Sequence, residues 1–244
     1  MIFQKLRYLL EKLFNIHIRF VKKNIYKNLE TPGIDIIKSI SRSSGILHIG
    51  GHRGSERFTY DWMGKKVIWI EANPIIFREL KSNLKEFKYQ QCYQALLHST
   101  KGKWLDFFLS SNDQASSSIY DFSKTFKNNN LFFQNIKRNI SMVDKIKLET
   151  QKLDDLILEK NIDIRKFNHW VIDVQGAEMD VLKGSINSLK FCKSLVVEIS
   201  TEKFYENGSI FHDVKKLLNN LNFTNNKEPT RNHEDILFTK KTKI

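Results

Sequence analysis

From residue 46 onward the chain alternates short apolar runs with stretches of helical spacing. Ile46-Leu47-His48-Ile49 predicts a strand ending in Gly50-Gly51, and 55–63 predicts a helix. Val67-Ile68-Trp69-Ile70 predicts a second strand, ending at Glu71. A helix follows from Pro74, where a missing backbone N–H is no loss, and 75–84 continues it. Further strands are expected over 89–97 and 104–109. Beyond a long polar stretch the alternation resumes, with a helix at 153–160, a strand at 169–174 and a helix at 177–189. A strand at 194–200, a helix at 210–221 and a closing antiparallel pair at 222–225 and 235–240 complete the pattern. Such alternation predicts an α/β domain with a doubly wound, mostly parallel sheet covered on both faces.

Two segments stand outside it. Residues 1–44 form a basic extension: Phe3, Leu6, Leu9, Leu10, Leu13 and Phe14 fall at three-and-four spacing, with lysines and arginines among them. The expected structure is an amphipathic helix or helix pair, packed on the body or a second subunit, or lying on a membrane surface through residues 1–30. The second segment, about 110–146 within a domain spanning 45–244, is rich in Ser, Asn and Lys. It reads as a long insertion, partly helical near 131–140, of the length that more often makes a lid than a connector.

Charge changes the picture in one respect. The formal net charge is +13, yet residues 1–45 hold nine basic against three acidic side chains, and 120–152 hold seven against three. The rest is nearly balanced, which argues against a polycation that coats nucleic acid. Two cysteines, Cys92 and Cys192, match no metal or disulfide pattern, so a reducing, cytoplasmic compartment is expected. Charges interrupt the N-terminal apolar run, and no stretch predicts a membrane-spanning helix or secretory signal. Association with the inner membrane face through the basic helix remains the alternative.

In open parallel sheets ligands bind beyond the carboxyl ends of the strands, so those ends are the places to look. They carry Gly50-Gly51-His52-Arg53-Gly54, then Glu71, Gln94-Ala95, Asp173 and Glu198. The glycines permit close backbone approach, and an acid about twenty residues later can accept from both hydroxyls of a ribose. Ile49 stands where a dinucleotide motif needs its first glycine, and no phosphate-binding Gly-Lys-Ser/Thr occurs. A nucleoside without a pyrophosphate leaves S-adenosylmethionine as the leading cofactor.

With these residues in place, the chain resembles the FkbM-type methyltransferases, a class of S-adenosylmethionine-dependent O-methyltransferases. The resemblance runs from about Gly45 to Lys240. It is most specific in the stretch from His169 to Gly184, which contains Asp173-Val174-Gln175-Gly176-Ala177-Glu178. Ile70-Glu71-Ala72-Asn73-Pro74, Ser116-Ser117-Ser118, Leu153-Asp154-Asp155-Leu156 and Leu195-Val196-Val197-Glu198-Ile199 support it. It implies a seven-stranded Rossmann-like sheet with the cofactor across Gly50, Gly51, His52 and Gly54. Glu71, with Ala72 and Asn73, would hold the ribose. Gln94 and Ala95 would border the adenine, and Asp173 would face the methionine end or the substrate. His48 stands where this class commonly carries an acid before the glycines, and is counted with the cofactor positions.

The reaction needs an oxygen nucleophile held in line and a base for its proton, for which Asp173 and Glu178 are the candidates. Capping its own helix is the competing role for Glu178. Glu198, Ser117 and Ser118 are expected on the substrate side. Three carboxylates near one point leave Mg²⁺ as an option, not the favoured one. The expected acceptor is a hydroxyl of a saccharide, glycolipid or related metabolite. The alternatives are a nucleic-acid methyltransferase, disfavoured by the lack of an Asn/Asp-Pro-Pro-aromatic motif after the fourth strand, and a non-catalytic membrane or protein adaptor.

Overall fold

The computed structural model describes residues 33–128, 140–230 and 233–241. The helices predicted within 1–30 and near 131–140 lie outside the described residues. Elements follow in the order α1 (Ile34–Arg42), β1 (Gly45–Ile49), α2 (Arg57–Trp62), β2 (Lys66–Glu71), α3 (Pro74–Asn83), β3 (Gln90–Gln94), β4 (Leu96–Leu97) and β5 (Trp104–Ser110). Then come α4 (Lys124–Asn128), β6 (Met142–Gln151), α5 (Leu153–Glu159), β7 (His169–Ile172), α6 (Glu178–Lys183), β8 (Ser194–Ile199), α7 (Phe211–Asn220), β9 (Phe223–Asn225) and β10 (Glu234–Lys240).

The main sheet has seven strands in the order β3-β2-β1-β7-β8-β10-β9. The first five run parallel, and β10 is antiparallel to both its neighbours. The predicted doubly wound sheet is therefore the observed one. Chain order steps outward from β1 to β3, then returns to place β7 on the other side of β1. The crevice between the ends of β1 and β7 is the topological switch point.

Strand side chains alternate between faces, and each face has its own core. Leu47, Ile49, Ile68, Ile70, Trp170 and Ile172 pack with Val181, Leu182, Val214 and Leu218 of α6 and α7. On the opposite face Ile46, Val67 and Trp69 pack against Ile40, Tyr60 and Leu80 of α1, α2 and α3. These side chains are almost fully buried, and each such Leu or Ile contributes about 1.5–3 kcal/mol to folding.

Three elements depart from expectation. The strand predicted over 89–97 breaks at Ala95: β3 stays in the main sheet, while β4 leaves it to pair in parallel with β6. The supposed insertion is a strand from Met142 on, since β6 pairs antiparallel with β5 along its length. Its sequence, Met142-Val-Asp-Lys-Ile-Lys-Leu-Glu-Thr-Gln151, alternates apolar and charged residues, as a strand with one solvated face should. The helix predicted over 177–189 stops at Lys183, and a 3₁₀ turn follows at Ser188–Phe191.

Candidate active site

The turn after β1 fixes the site. Gly50 and Gly51 both donate their N–H groups to the Ile70 carbonyl at 2.9 and 3.0 Å, tying the turn to β2. Gly50 adopts φ +82°, and a Cβ there would stand 1.6 Å from the carbonyl oxygen of Asp173. The backbones leaving β1 and β7 thus touch, and only glycine fits.

Next to this turn, Glu71 is 8% exposed at the end of β2. Its Oε2 accepts from the His52 N–H and its Oε1 from the Asn73 N–H, both at 2.8 Å. Burial pushes its pKa up, while these backbone donors oppose the shift. A carboxylate oxygen has two acceptor positions, so each still has one for a ligand hydroxyl. Asn73 is the cap of α3: its side chain accepts from Ile75 and Ile76 N–H, and Pro74 occupies the first helical position.

A cavity of about 220 Å³ opens here, lined by Gly50, His52, Glu71, Ala72, Ala95, Ser117 and Asp173 among others. The structure brings these seven predicted residues together. Gly51 and Gly54 sit behind the cavity, against Trp69 and Leu80. Gln94 is exposed, paired in register with Glu71. Ser118 is buried and exchanges backbone hydrogen bonds with Phe108.

His48 does not reach the cavity, which corrects its place among the cofactor positions. Its ring stacks on Trp69 with centroids 4.5 Å apart and meets the Tyr60 hydroxyl at 3.2 Å, in the core beneath the sheet. Burial lowers its pKa to about 3, so it is neutral there. The role is structural because β1 directs His48 to the α1–α3 face.

The segment Ser111–Ser117 covers the cavity and is fastened to the glycine turn. Arg53 grips the Asp113 carboxylate with both terminal nitrogens, at 2.6 and 3.0 Å, and His52 Nε2 lies 3.1 Å from the Asp113 carbonyl. Asn73 Nδ2 donates to Gln114 Oε1. Asp113 and Gln114 both have φ near +60°, which turns the chain back over the pocket.

Across the switch point three carboxyl groups crowd the ends of β7 and β8. Gln175 Nε2 donates to Asp173 Oδ1 at 2.7 Å and to Glu198 Oε2 at 2.6 Å, bridging the two acids. The Tyr205 hydroxyl donates to Gln175 Oε1 at 2.8 Å, which orients the amide. His233 Nδ1 stands 3.7 Å from Glu198 Oε2. Burial, then the charge of Glu198, raises Asp173 well above the usual carboxylate range. Burial pushes Glu198 the same way, but His233, Asp173 and Gln175 outweigh it and hold Glu198 below its ordinary value. Of the two acids, Asp173 is therefore the one with the higher proton affinity.

Glu178 is 3% exposed and does not line the main cavity. Its Oε1 accepts from the Gly176 N–H at 2.9 Å, and burial raises its pKa to about 7. With Glu198 and His233 it faces a small separate void. Among the described residues no group of three or more His, Cys, Asp or Glu is disposed to hold a metal.

Gln175, Tyr205 and His233 were not singled out in the sequence. Gln175 stands between two residues that were, and its left-handed φ of +55° aims it back at both acids. Tyr205 packs on Gly176, where a Cβ would come within 2.7 Å of its ring. Neither Tyr205 nor His233 belongs to a pattern that spacing reveals.

Fold and site together define an α/β domain with a cavity bounded by the glycine turn and Glu71 on one side of the switch point and a pair of acids on the other. The model of the methyltransferase FkbM domain matches residues 48–224, and the chain belongs to that family. It is accordingly an S-adenosylmethionine-dependent methyltransferase. Among solved structures it is similar to a TehB-like SAM-dependent methyltransferase from Corynebacterium glutamicum, at 12% identity, covering 89% of this chain and 92% of that one, with a TM-score of 0.43. The magnesium protoporphyrin IX methyltransferase of Synechocystis, solved with bound SAM, is 10% identical, with 98% and 96% covered and a TM-score of 0.43. The METTL16 methyltransferase domain is 10% identical, with 96% and 77% covered and a TM-score of 0.49. No curated protein matches. No described helix is long and apolar enough to cross a membrane.

Proposed function

We propose that the chain transfers a methyl group to a hydroxyl of a saccharide, glycolipid or related metabolite, with the cofactor in the cavity at the end of β1 and the hydroxyl at Asp173. The observation that carries this reading is one cavity bounded by the glycine turn and Glu71 on one side and by Asp173 on the other.

The residues present fit the cofactor. Gly50 presents bare backbone to the cavity, Glu71 keeps an acceptor position on each oxygen for the ribose hydroxyls, and Ala72 and Ala95 leave room for the base. Bound S-adenosylmethionine supplies a methyl group on a positively charged sulfur, so no covalent enzyme intermediate is required. What the chain contributes is position and a proton acceptor. Holding the two partners in line is worth roughly 7–11 kcal/mol. Asp173 lines the cavity and, with its proton affinity raised by burial and by Glu198, would serve as the base: its carboxylate accepts a hydrogen bond from the hydroxyl and takes the proton as the oxygen is alkylated. Gln175, donating to both acids, keeps them in register for that step. Ser117 on the covering segment would help exclude water.

Calorimetric titration with S-adenosylmethionine, S-adenosylhomocysteine and NAD⁺ tests the cofactor half, and labelled methyl transfer to polysaccharide and to RNA tests the acceptor half. Binding of the two sulfur nucleosides alone, with label appearing as a methyl ether on saccharide, is the expected outcome. Label on RNA would refute the acceptor assignment.

A further inference from the structure

A second concavity, of about 520 Å³, lies between α6 and α7 and is lined by Lys183, Lys203 and Lys216, with Tyr120 and Asp180 on its wall. The charges here are unevenly committed. Asp180 accepts from the Tyr120 hydroxyl at 2.6 Å and from Ser99 Oγ at 3.1 Å, and His98 Nε2 stands 3.2 Å away. Among the described residues, none of the three ammonium groups has a hydrogen-bond or ion-pair partner. Asp180 is spent on the wall, and Asp213, which also lines the groove, has His212 Nδ1 at 3.6 Å, so the lining carries three lysines against two acids, a formal excess of one positive charge.

The groove adjoins the cofactor cavity through the same two chain segments. Ile119 and Ala177 line the cavity, while Tyr120 and Met179 line the groove. An acceptor with its reacting hydroxyl at Asp173 would pass over these segments to reach the lysines.

The lining also identifies the occupant's class. Ammonium groups are point charges that suit carboxylate and phosphate without demanding planar geometry. Asn207, Ser209 and Asn220 offer groups that match sugar hydroxyls, and Tyr120, Met179 and Leu217 offer an apolar floor. A nucleic-acid strand is recognised by a basic stripe with successive stacking rings, and this groove has a single aromatic ring.

We propose that the groove between α6 and α7 is an acceptor subsite that binds the anionic group, carboxylate or phosphate, of an acidic saccharide whose neighbouring sugar is methylated at Asp173. The proposal rests on the saccharide reading above and adds the charge and place of the distal sugar.

The test is calorimetric titration of the full chain at low salt with hexagalacturonate, a glycerol-phosphate oligomer, neutral maltohexaose and an RNA hexamer. It is repeated with Lys183→Ala/Lys203→Ala/Lys216→Ala, in which S-adenosylmethionine binding is also measured. Three part-exposed ion pairs together account for roughly tenfold in affinity. The expected result is that hexagalacturonate or the glycerol-phosphate oligomer binds, about tenfold more weakly in the triple variant, while cofactor affinity is unchanged. Which of the two binds distinguishes carboxylate from phosphate. Binding of neither, equal affinity in both proteins, equal binding of maltohexaose, or tighter binding of RNA would overturn the subsite. If S-adenosylmethionine fails to bind the unaltered protein, the methyltransferase reading falls instead, and the saccharide titrations still report on the groove.

Discussion

On either side of the switch point the same residue type does different work. At the end of β2, Glu71 is held alone by two backbone N–H groups, each oxygen with a fixed donor. At the ends of β7 and β8, Asp173 and Glu198 are held by one shared side-chain amide. Glu71 is buried, whereas Asp173 and Glu198 are half-buried. Backbone donors favour a fixed charge, and a fixed charge suits a static grip on hydroxyls. A second carboxylate instead raises the proton affinity of its neighbour, which suits a group that has to take up a proton. The neighbours, not the carboxylate, assign the role.

The largest disruption removes the contact on which the contrast depends. Gly50→Ala places a methyl group where the Asp173 carbonyl now lies, in a left-handed conformation that side chains disfavour. The turn cannot yield without parting β1 from β7, so the expected cost is about 4 kcal/mol or more, at the extreme of single substitutions. Chemical denaturation measures it, and a loss under 1 kcal/mol would mean that the two sides are less tightly joined than the geometry demands.

A smaller but more selective effect separates the two sides. Glu71→Gln keeps one oxygen for a backbone donor and loses the charge. A hydrogen bond to a charged group is worth about 1.5–3 kcal/mol, so cofactor affinity should fall roughly ten- to a hundredfold. Asp173→Asn should leave that affinity within a few-fold and reduce the rate of methyl transfer by about 10²–10⁴, the range for a lost proton acceptor. Calorimetry and single-turnover transfer on both variants would show the crossed pattern. Equal losses of binding in both would merge the two sides into one cofactor site.

Much of this arrangement is legible in the sequence because it sits at the ends of strands. The runs before Gly50, Glu71, Asp173 and Glu198 are apolar enough to be read as buried parallel strands, and the residues that follow them then converge. What resists reading is decided by direction within the fold. His48 lies two residues before Gly50, yet the period of two turns its ring to the core of Trp69 and Tyr60. β6 hides its period under Lys145, Lys147 and Glu149, whose charges make a solvated strand face resemble a loop. Tyr205 and His233 come to Gln175 and Glu198 from loops far along the chain, with no periodicity to announce them.

The smallest expected effect on methyl transfer concerns Glu178, which lies on the acid-rich side but outside the main cavity. In the unfolded chain its carboxyl ionises near 4.5, and in the folded protein near 7. Between those values the folded state holds a proton that the unfolded state has released. Stability therefore declines as pH rises through this window, by up to about 1.4 kcal/mol per unit for one proton, and the loss is complete above the folded value. Glu178→Gln retains an oxygen for the Gly176 N–H and removes the titration. Asp173, also raised, slopes the same way, so the informative quantity is the variant's stability minus that of the unaltered protein. That difference should grow in favour of the variant from about pH 5 to 7 and then level off, while methyl transfer at pH 8 changes by no more than a few-fold. Parallel stability curves would mean that Glu178 is already ionised at pH 5. A collapse of transfer with normal stability would instead bring it into the catalytic pair and erase the distinction between a buried acid that supports the turn and the two bridged by Gln175.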